Sequence, residues 1–161
     1  MNLSRIALAV AVAGTLDITS AILTTEWAGK SAIGMLQSVA SGPFGSGLIG
    51  TGLAGAALGL ATHFAIMTVM ALAFAIAVDR VPLASQPLIA GPAYGALLYL
   101  VMYWIVLPLR WPGPHSAISI KGTLVPLVMH ILLVGMPIAL ILRRRPVAAG
   151  KPGGQASADA R

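Results

Sequence analysis

The chain has 161 residues, of which 58% are hydrophobic and only 9% are charged. Soluble domains carry roughly 25% charged residues, so this chain has too few polar side chains to cover a surface in water. Its formal charge of +6 comes from residues at the ends of hydrophobic segments, which argues against a nucleic-acid partner. Since there is no cysteine, disulfides and thiolate metal sites are excluded. The composition predicts an integral membrane protein that contacts the lipid bilayer.

Four hydrophobic segments are each long enough for a spanning helix, which needs about 20 residues. They cover 6–27, 48–78, 87–109 and 124–142. We therefore predict an all-α bundle of four transmembrane helices over residues 1–145. The tail at 146–161 is rich in Ala, Gly and Pro and is predicted to be disordered and cytoplasmic.

The distribution of basic residues predicts the topology. Four spans place both chain ends on one side of the membrane. The basic residues on that side are Arg5, Arg80, Arg143, Arg144, Arg145 and Lys151, against Lys30, Arg110 and Lys121 on the other. The positive-inside rule then places both termini in the cytoplasm, and tryptophans at the outer ends of the first and third spans agree.

The first span contains a carboxylate, Asp17, near its middle. Gly14, Ser20 and Thr24 share its helical face, which is therefore small and polar. A polar stripe in a membrane helix is expected to face other helices or a wet cavity.

A short helix is predicted between the first two spans. Its apolar residues follow helical spacing and are Ala32, Ile33, Leu36, Val39 and Ala40. We predict an amphipathic helix lying on the outer surface of the membrane. A re-entrant hairpin lining a pore is the alternative.

The second span opens with Gly50-Thr51-Gly52-Leu53-Ala54-Gly55, which satisfies G-x-G-x-x-G. No strand precedes it, so a dinucleotide site is not indicated. The spacing of Gly52, Gly55 and Gly59 instead predicts close helix packing. We expect this glycine-rich face to be a contact in a homo-oligomer.

The third span carries Gly91, Gly95, Tyr99 and Tyr103 at four-residue intervals. This is a second stripe of small residues, here followed by aromatic ones, and it also predicts helix packing. The loop after it contains His115, which we interpret as a loop residue.

Asp17, His63 and His130 each lie near the midpoint of a span, and we predict that they share one depth. Three interpretations stay open. They form a structural hydrogen-bond cluster, or a path for protons or cations. Alternatively they hold a metal ion, or the two histidines ligate a haem.

Three sets of residues resemble a pattern of small four-span bacterial inner-membrane proteins of unknown function. They are Gly14-Thr15-Leu16-Asp17, Thr62-His63-Phe64, and His130 followed by Gly135. The resemblance covers about residues 5–145 and implies a bacterial inner-membrane location, with Asp17, His63 and His130 at the matching positions. It implies no established activity, cofactor or substrate.

These observations favour a small transport or permeation protein that handles protons or cations through Asp17, His63 and His130. A haem- or metal-binding membrane subunit and a purely structural or assembly role are the alternatives. No convincing Ser/His/Asp set is present, so an enzymatic role is not favoured.

Overall fold

The computed structural model describes residues 2–112 and 120–143, and this part of the chain contains five helices and no strand. The helices are α1 (Leu3–Trp27), α2 (Ala32–Phe44), α3 (Gly52–Arg80), α4 (Pro87–Arg110) and α5, which runs through Ile120–Met129, His130–Gly135 and Met136–Leu142. His115, Arg144, Arg145 and the tail predicted as disordered lie outside the described residues.

Four of these helices, α1, α3, α4 and α5, are long and apolar enough to cross a membrane. The predicted all-α fold with four candidate spans and a short helix between the first two is therefore confirmed. Large apolar side chains cover the outside of the bundle, as Leu23, Val69, Leu88 and Leu132 show. Such a surface is expected to face lipid rather than water.

The centre of the bundle is built from small residues. Ala9 and Ala13 on α1, Ala71 on α3 and Ala139 on α5 are completely buried. Lipid tails are as apolar as Leu, so helix association in a membrane depends on close van der Waals contact, which small residues allow. α1 contacts both α3 and α5, and α5 packs against α4.

The closest approach between α4 and α5 is made by glycine. A Cβ atom at Gly95 would lie 2.5 Å from the Ile131 Cα and 2.6 Å from the His130 carbonyl oxygen. Gly135 in turn packs directly against the backbone of Gly91 and Gly95. These glycines are needed because backbone, rather than a flexible side chain, occupies the space a Cβ would take.

α2 packs against the first half of α3 with a face that combines polar residues with part of the apolar stripe. Its buried residues are Gln37, Ala40 and Ser41, while Ile33 is exposed. The Gln37 amide donates to the Gly52 carbonyl (2.8 Å) and accepts from the Gly50 N–H (2.9 Å). A polar residue is buried here because it satisfies the backbone of the loop before α3.

The same packing accounts for the glycines of the second span. A Cβ at Gly59 would collide with the Leu36 carbonyl of α2, and one at Gly55 would contact the side chains of Thr51 and Gln37. Gly52 instead begins α3 with a φ of +65° and no atom near a Cβ position. At Gly55 and Gly59, the face expected to contact a second copy is therefore covered by α2 of the same chain.

α4 and α5 each contain a π-helical segment, Val101–Val106 and His130–Gly135. Each segment ends two residues before a proline, Pro108 or Pro137. A proline ring in an α-helix clashes with the carbonyl four residues earlier. Widening the preceding turn to an i→i−5 pattern relieves that clash, so the prolines explain where these rare segments occur.

Replacing Gly95 with Ala is expected to destabilise the bundle by about 1–3 kcal/mol, because the α4 and α5 backbones must separate. Thermal unfolding in detergent measures the effect. The matched control is Gly34→Ala, whose Cβ would lie 3.7 Å from the Ser31 Cβ, an ordinary contact. Equal unfolding temperatures for the two variants would contradict this packing.

Candidate functional site

Asp17 lies on the face of α1 that packs towards α3, and its side chain is 21% exposed. The hydroxyls predicted to extend its polar stripe turn back onto their own helix. Ser20 donates to the Asp17 carbonyl (2.9 Å), and Thr24 donates to the Ser20 carbonyl (2.8 Å). Ser20 is half-buried and Thr24 is exposed. Of the polar side chains in the stripe, therefore, the Asp17 carboxylate is the one with a partner on another helix.

His63 is the partner that α3 presents to this carboxylate. It is buried, and its Nε2 lies 3.0 Å from the carbonyl oxygen of Gly14 on α1. A carbonyl oxygen only accepts hydrogen bonds, so Nε2 carries a proton and donates it. The bond joins two helices and fixes which ring nitrogen remains for Asp17.

Gly14 is the position on α1 that makes this contact possible. A Cβ there would lie 2.6 Å from Cε1 of Phe64, the residue that follows His63. The Phe64 ring also meets the His63 ring edge-on, with centroids 5.3 Å apart. Phe64 thus fills the space beside Gly14 and restricts the orientation of the imidazole.

The other ring nitrogen of His63, Nδ1, lies 4.0 Å from Oδ2 of Asp17. This is an ion-pair distance, longer than the 2.7–3.2 Å that is usual for a hydrogen bond. A neutral imidazole that is protonated at Nε2 presents a lone pair at Nδ1, which a carboxylate would repel. The contact becomes favourable once either Nδ1 or the carboxyl group carries one further proton.

His130 lies in a separate group on the α4–α5 side. Its Nδ1 donates to the Pro126 carbonyl at 2.9 Å, one turn earlier in α5. Tyr99 and Tyr103 of α4 stack on each other, with centroids 4.9 Å apart. Both meet the His130 ring edge-on, at 6.1 and 5.8 Å. We call these three residues the Tyr–His cluster.

Tyr103 is the member of the Tyr–His cluster on which the charge of the Asp17 carboxylate acts, and its ring meets that of His130. The structure therefore brings Asp17 and His63 within 4.0 Å of each other, whereas, among the described residues, no hydrogen bond or ion pair joins His130 to either of them. Depth along each span is readable from sequence, but the order of the helices around the bundle is not, so this separation was not predictable.

The tyrosines are the site residues that the sequence reading did not assign. Their four-residue spacing after Gly91 and Gly95 indicated packing only. Tyr99 is 2% exposed, and its hydroxyl has no hydrogen-bond partner among the described residues. A buried hydroxyl without a partner is unusual in a protein interior, and it gives this cluster a free polar group beside His130.

The metal and haem interpretations can be compared with the side chains in the part of the chain that the structure describes. No group of three His, Asp or Glu side chains is arranged to hold a metal ion there. Axial ligation of a haem through Nε2 of His63 would break its bond to Gly14. The metal and haem interpretations thus gain no support from these residues.

No family model, no curated protein and no solved structure matches this chain. The resemblance to small bacterial inner-membrane proteins therefore remains a prediction, while the four candidate spans on which it partly rests are present.

A double-mutant cycle with Asp17→Asn and His63→Gln is expected to give a coupling energy of about 0.5–1.5 kcal/mol, typical of a polar contact between membrane helices. Glutamine retains a donor for Gly14 but offers no basic nitrogen to Asp17. Equilibrium unfolding in mixed detergent micelles measures the four stabilities.

The control cycle pairs His63→Gln with Glu26→Gln, which removes an exposed carboxylate near the far end of α1. It should give no coupling, because sites without shared contacts are additive. The same zero value for Asp17 and His63 would mean that the two side chains do not interact.

Proposed function

We propose that the protein is a small proton-handling membrane protein in which Asp17 and His63 bind a proton inside the bilayer. The observation that carries the proposal is the bond from His63 Nε2 to the Gly14 carbonyl. It commits one nitrogen to the helix backbone and leaves Nδ1 and a carboxylate oxygen, two basic atoms, facing each other at 4.0 Å.

The low polarity of the membrane interior favours binding of a proton by this pair. Without the shared proton the pair has a net charge of −1, and with it the net charge is zero. Charge is expensive to hold at the depth of a bilayer core. A proton is therefore the smallest ligand that neutralises the site, imidazole is the side chain that changes its charge near neutral pH, and a carboxylate is a common proton acceptor.

The Tyr–His cluster supports a route beyond this pair. The charge of Asp17 acts on Tyr103, and His130 keeps Nε2 available because Nδ1 is its donor to Pro126. Phenol and imidazole groups both accept and donate protons. A proton leaving the Asp17–His63 pair would therefore meet these groups between α1, α4 and α5.

We further propose that both chain ends face the cytoplasm of a bacterial cell. Arg5 on α1 and Arg143 after α5 lie at one end of the bundle, where the Arg5 guanidinium donates to the Arg143 carbonyl at 2.8 Å. Trp27 and Trp111 lie at the opposite end, and both are exposed. Basic residues inside and interfacial tryptophans outside are the expected arrangement.

Proton flux tests the proposal directly. The protein is reconstituted in liposomes that contain a pH-sensitive dye, and a potassium diffusion potential drives protons inwards. We expect flux above that of protein-free liposomes for the wild type and a decrease of about tenfold or more for Asp17→Asn, because the proton-binding group is lost.

Two further variants separate binding from folding. His63→Gln is expected to fold, since it can still donate to Gly14, and to lose flux. Glu26→Gln should retain wild-type flux. If Asp17→Asn conducted protons as well as the wild type, or if the wild type conducted none, the proposal would be wrong.

A further inference from the structure

A small cavity of about 200 Å³ opens at the end of the bundle where α1 begins and where α3 and α5 end. Its polar lining comes from Asn2, Arg5 and Asp79, and its apolar lining includes Ile6, Val78 and Leu142. This end is on the opposite side of the bundle from Trp27. The cavity is thus separate from the Asp17–His63 pair and takes no part in the function proposed above.

The lining of the cavity includes one positively charged and one negatively charged side chain. Arg5 lies in the first turn of α1, where the helix dipole is positive, and Asp79 lies in the last turn of α3, where it is negative. Arg5 and Asp79 form no ion pair with each other, and within the described residues Asp79 has no hydrogen-bond partner. Arg80 is the basic residue of the same turn, and a further cation near Asp79 would be favourable because a carboxylate adds to the negative end of the helix dipole.

Arg5 already holds two helices together at this place. Its Nη2 donates to the carbonyls of Ile141 and Arg143 at the end of α5. The other guanidinium nitrogens, Nε and Nη1, have no partner among the described residues. A guanidinium with free N–H groups beside a helix N-terminus is suited to a phosphate.

An apolar groove of about 450 Å³ begins at the same end, between α1 and α3. Ile6 lines both the groove and the cavity. The groove runs along α1 from Leu3 to Ala11 and ends at Phe64, which is about 12 Å at the helical rise of about 1.5 Å per residue. The groove is lined by one side-chain hydroxyl, that of Thr68, which donates to the Phe64 carbonyl at 2.8 Å. Because this hydroxyl already has an acceptor, the groove is suited to an apolar ligand.

We infer that the cavity and the groove together bind one phospholipid with an ethanolamine headgroup. The phosphate lies near Arg5 and the ammonium near Asp79, while an acyl chain occupies the groove. A headgroup with both charges matches both sides of the cavity. An anionic glycerol headgroup supplies the phosphate but offers Asp79 no cation.

The bilayer is the source of this ligand, because the groove lies along two helices that are apolar enough to span it. A water-soluble phosphate compound would leave the groove unfilled. Because Ile6 lines both spaces, a headgroup in the cavity and an acyl chain in the groove are close enough to belong to one molecule, which favours a lipid over a free anion.

Native mass spectrometry tests the inference. The full-length protein is placed in nanodiscs with equal amounts of phosphatidylethanolamine and phosphatidylglycerol that have identical acyl chains, and the lipid retained after release is identified. We expect the wild type to retain the ethanolamine lipid about fivefold more, the factor of a partly exposed ion pair. Asp79→Asn should reduce the ratio to about one.

Three variants act as controls. Glu26→Gln makes the same chemical change at the other end of α1 and should keep the wild-type ratio. Ala7→Phe fills the groove and should lower retention of both lipids without changing their ratio. Arg5→Gln should also weaken both, and its folding is checked by thermal unfolding.

Equal retention of the two lipids by the wild type would overturn the inference, as would an unchanged ratio in Asp79→Asn. Neither result would affect the proton-flux experiment, because Asp79 and Ala7 lie away from Asp17 and His63. The two proposals can therefore fail independently.

Discussion

The hydrogen bond from His63 to the Gly14 carbonyl is the contact on which the candidate site depends. It crosses from α3 to α1 inside the bundle, and it sets the tautomer of the imidazole. A buried imidazole without this acceptor would be free to present either nitrogen to Asp17. With it, the nitrogen that faces the carboxylate is the unprotonated one, and the proposed proton site depends on that arrangement.

Small residues allow α1 and α3 to approach closely enough for the hydrogen bond between His63 and Gly14 to form. Gly14 leaves room for Phe64, while Ala9, Ala13 and Ala71 let α1 and α3 approach closely. Glycines serve the same purpose between α4 and α5, where Gly95 touches the backbone at His130. Packing and site chemistry are thus linked, since the residues that bring the helices together also determine which polar groups meet.

The sequence was sufficient to predict a membrane protein, because a chain with so many apolar and so few charged residues cannot cover its surface with polar side chains in water. It also located Asp17, His63 and His130 in the middle of their spans. It could not show that His63 faces Asp17 directly while His130 packs with Tyr99 and Tyr103. The arrangement of helices around a bundle depends on which helices contact each other. A hydrophobic segment in the sequence does not indicate its neighbours.

Two further differences have physical causes. α2 buries the polar Gln37 beside Ala40 of its apolar stripe, because the amide satisfies the backbone at Gly50 and Gly52. The glycine face of α3 packs against α2 rather than being left for a second copy. In both cases a loop or helix of the same chain provides a contact whose partner cannot be identified from local spacing.

The number of protons held by Asp17 and His63 is the central quantity. Solid-state NMR of the protein in liposomes, with 15N in histidine and 13C in aspartate, measures it at neutral pH. We predict a protonated Nε2 in His63 and one further proton, either on Nδ1 or on the Asp17 carboxyl group. An ionised Asp17 beside an unprotonated Nδ1, or an unprotonated Nε2, would contradict the proposed site.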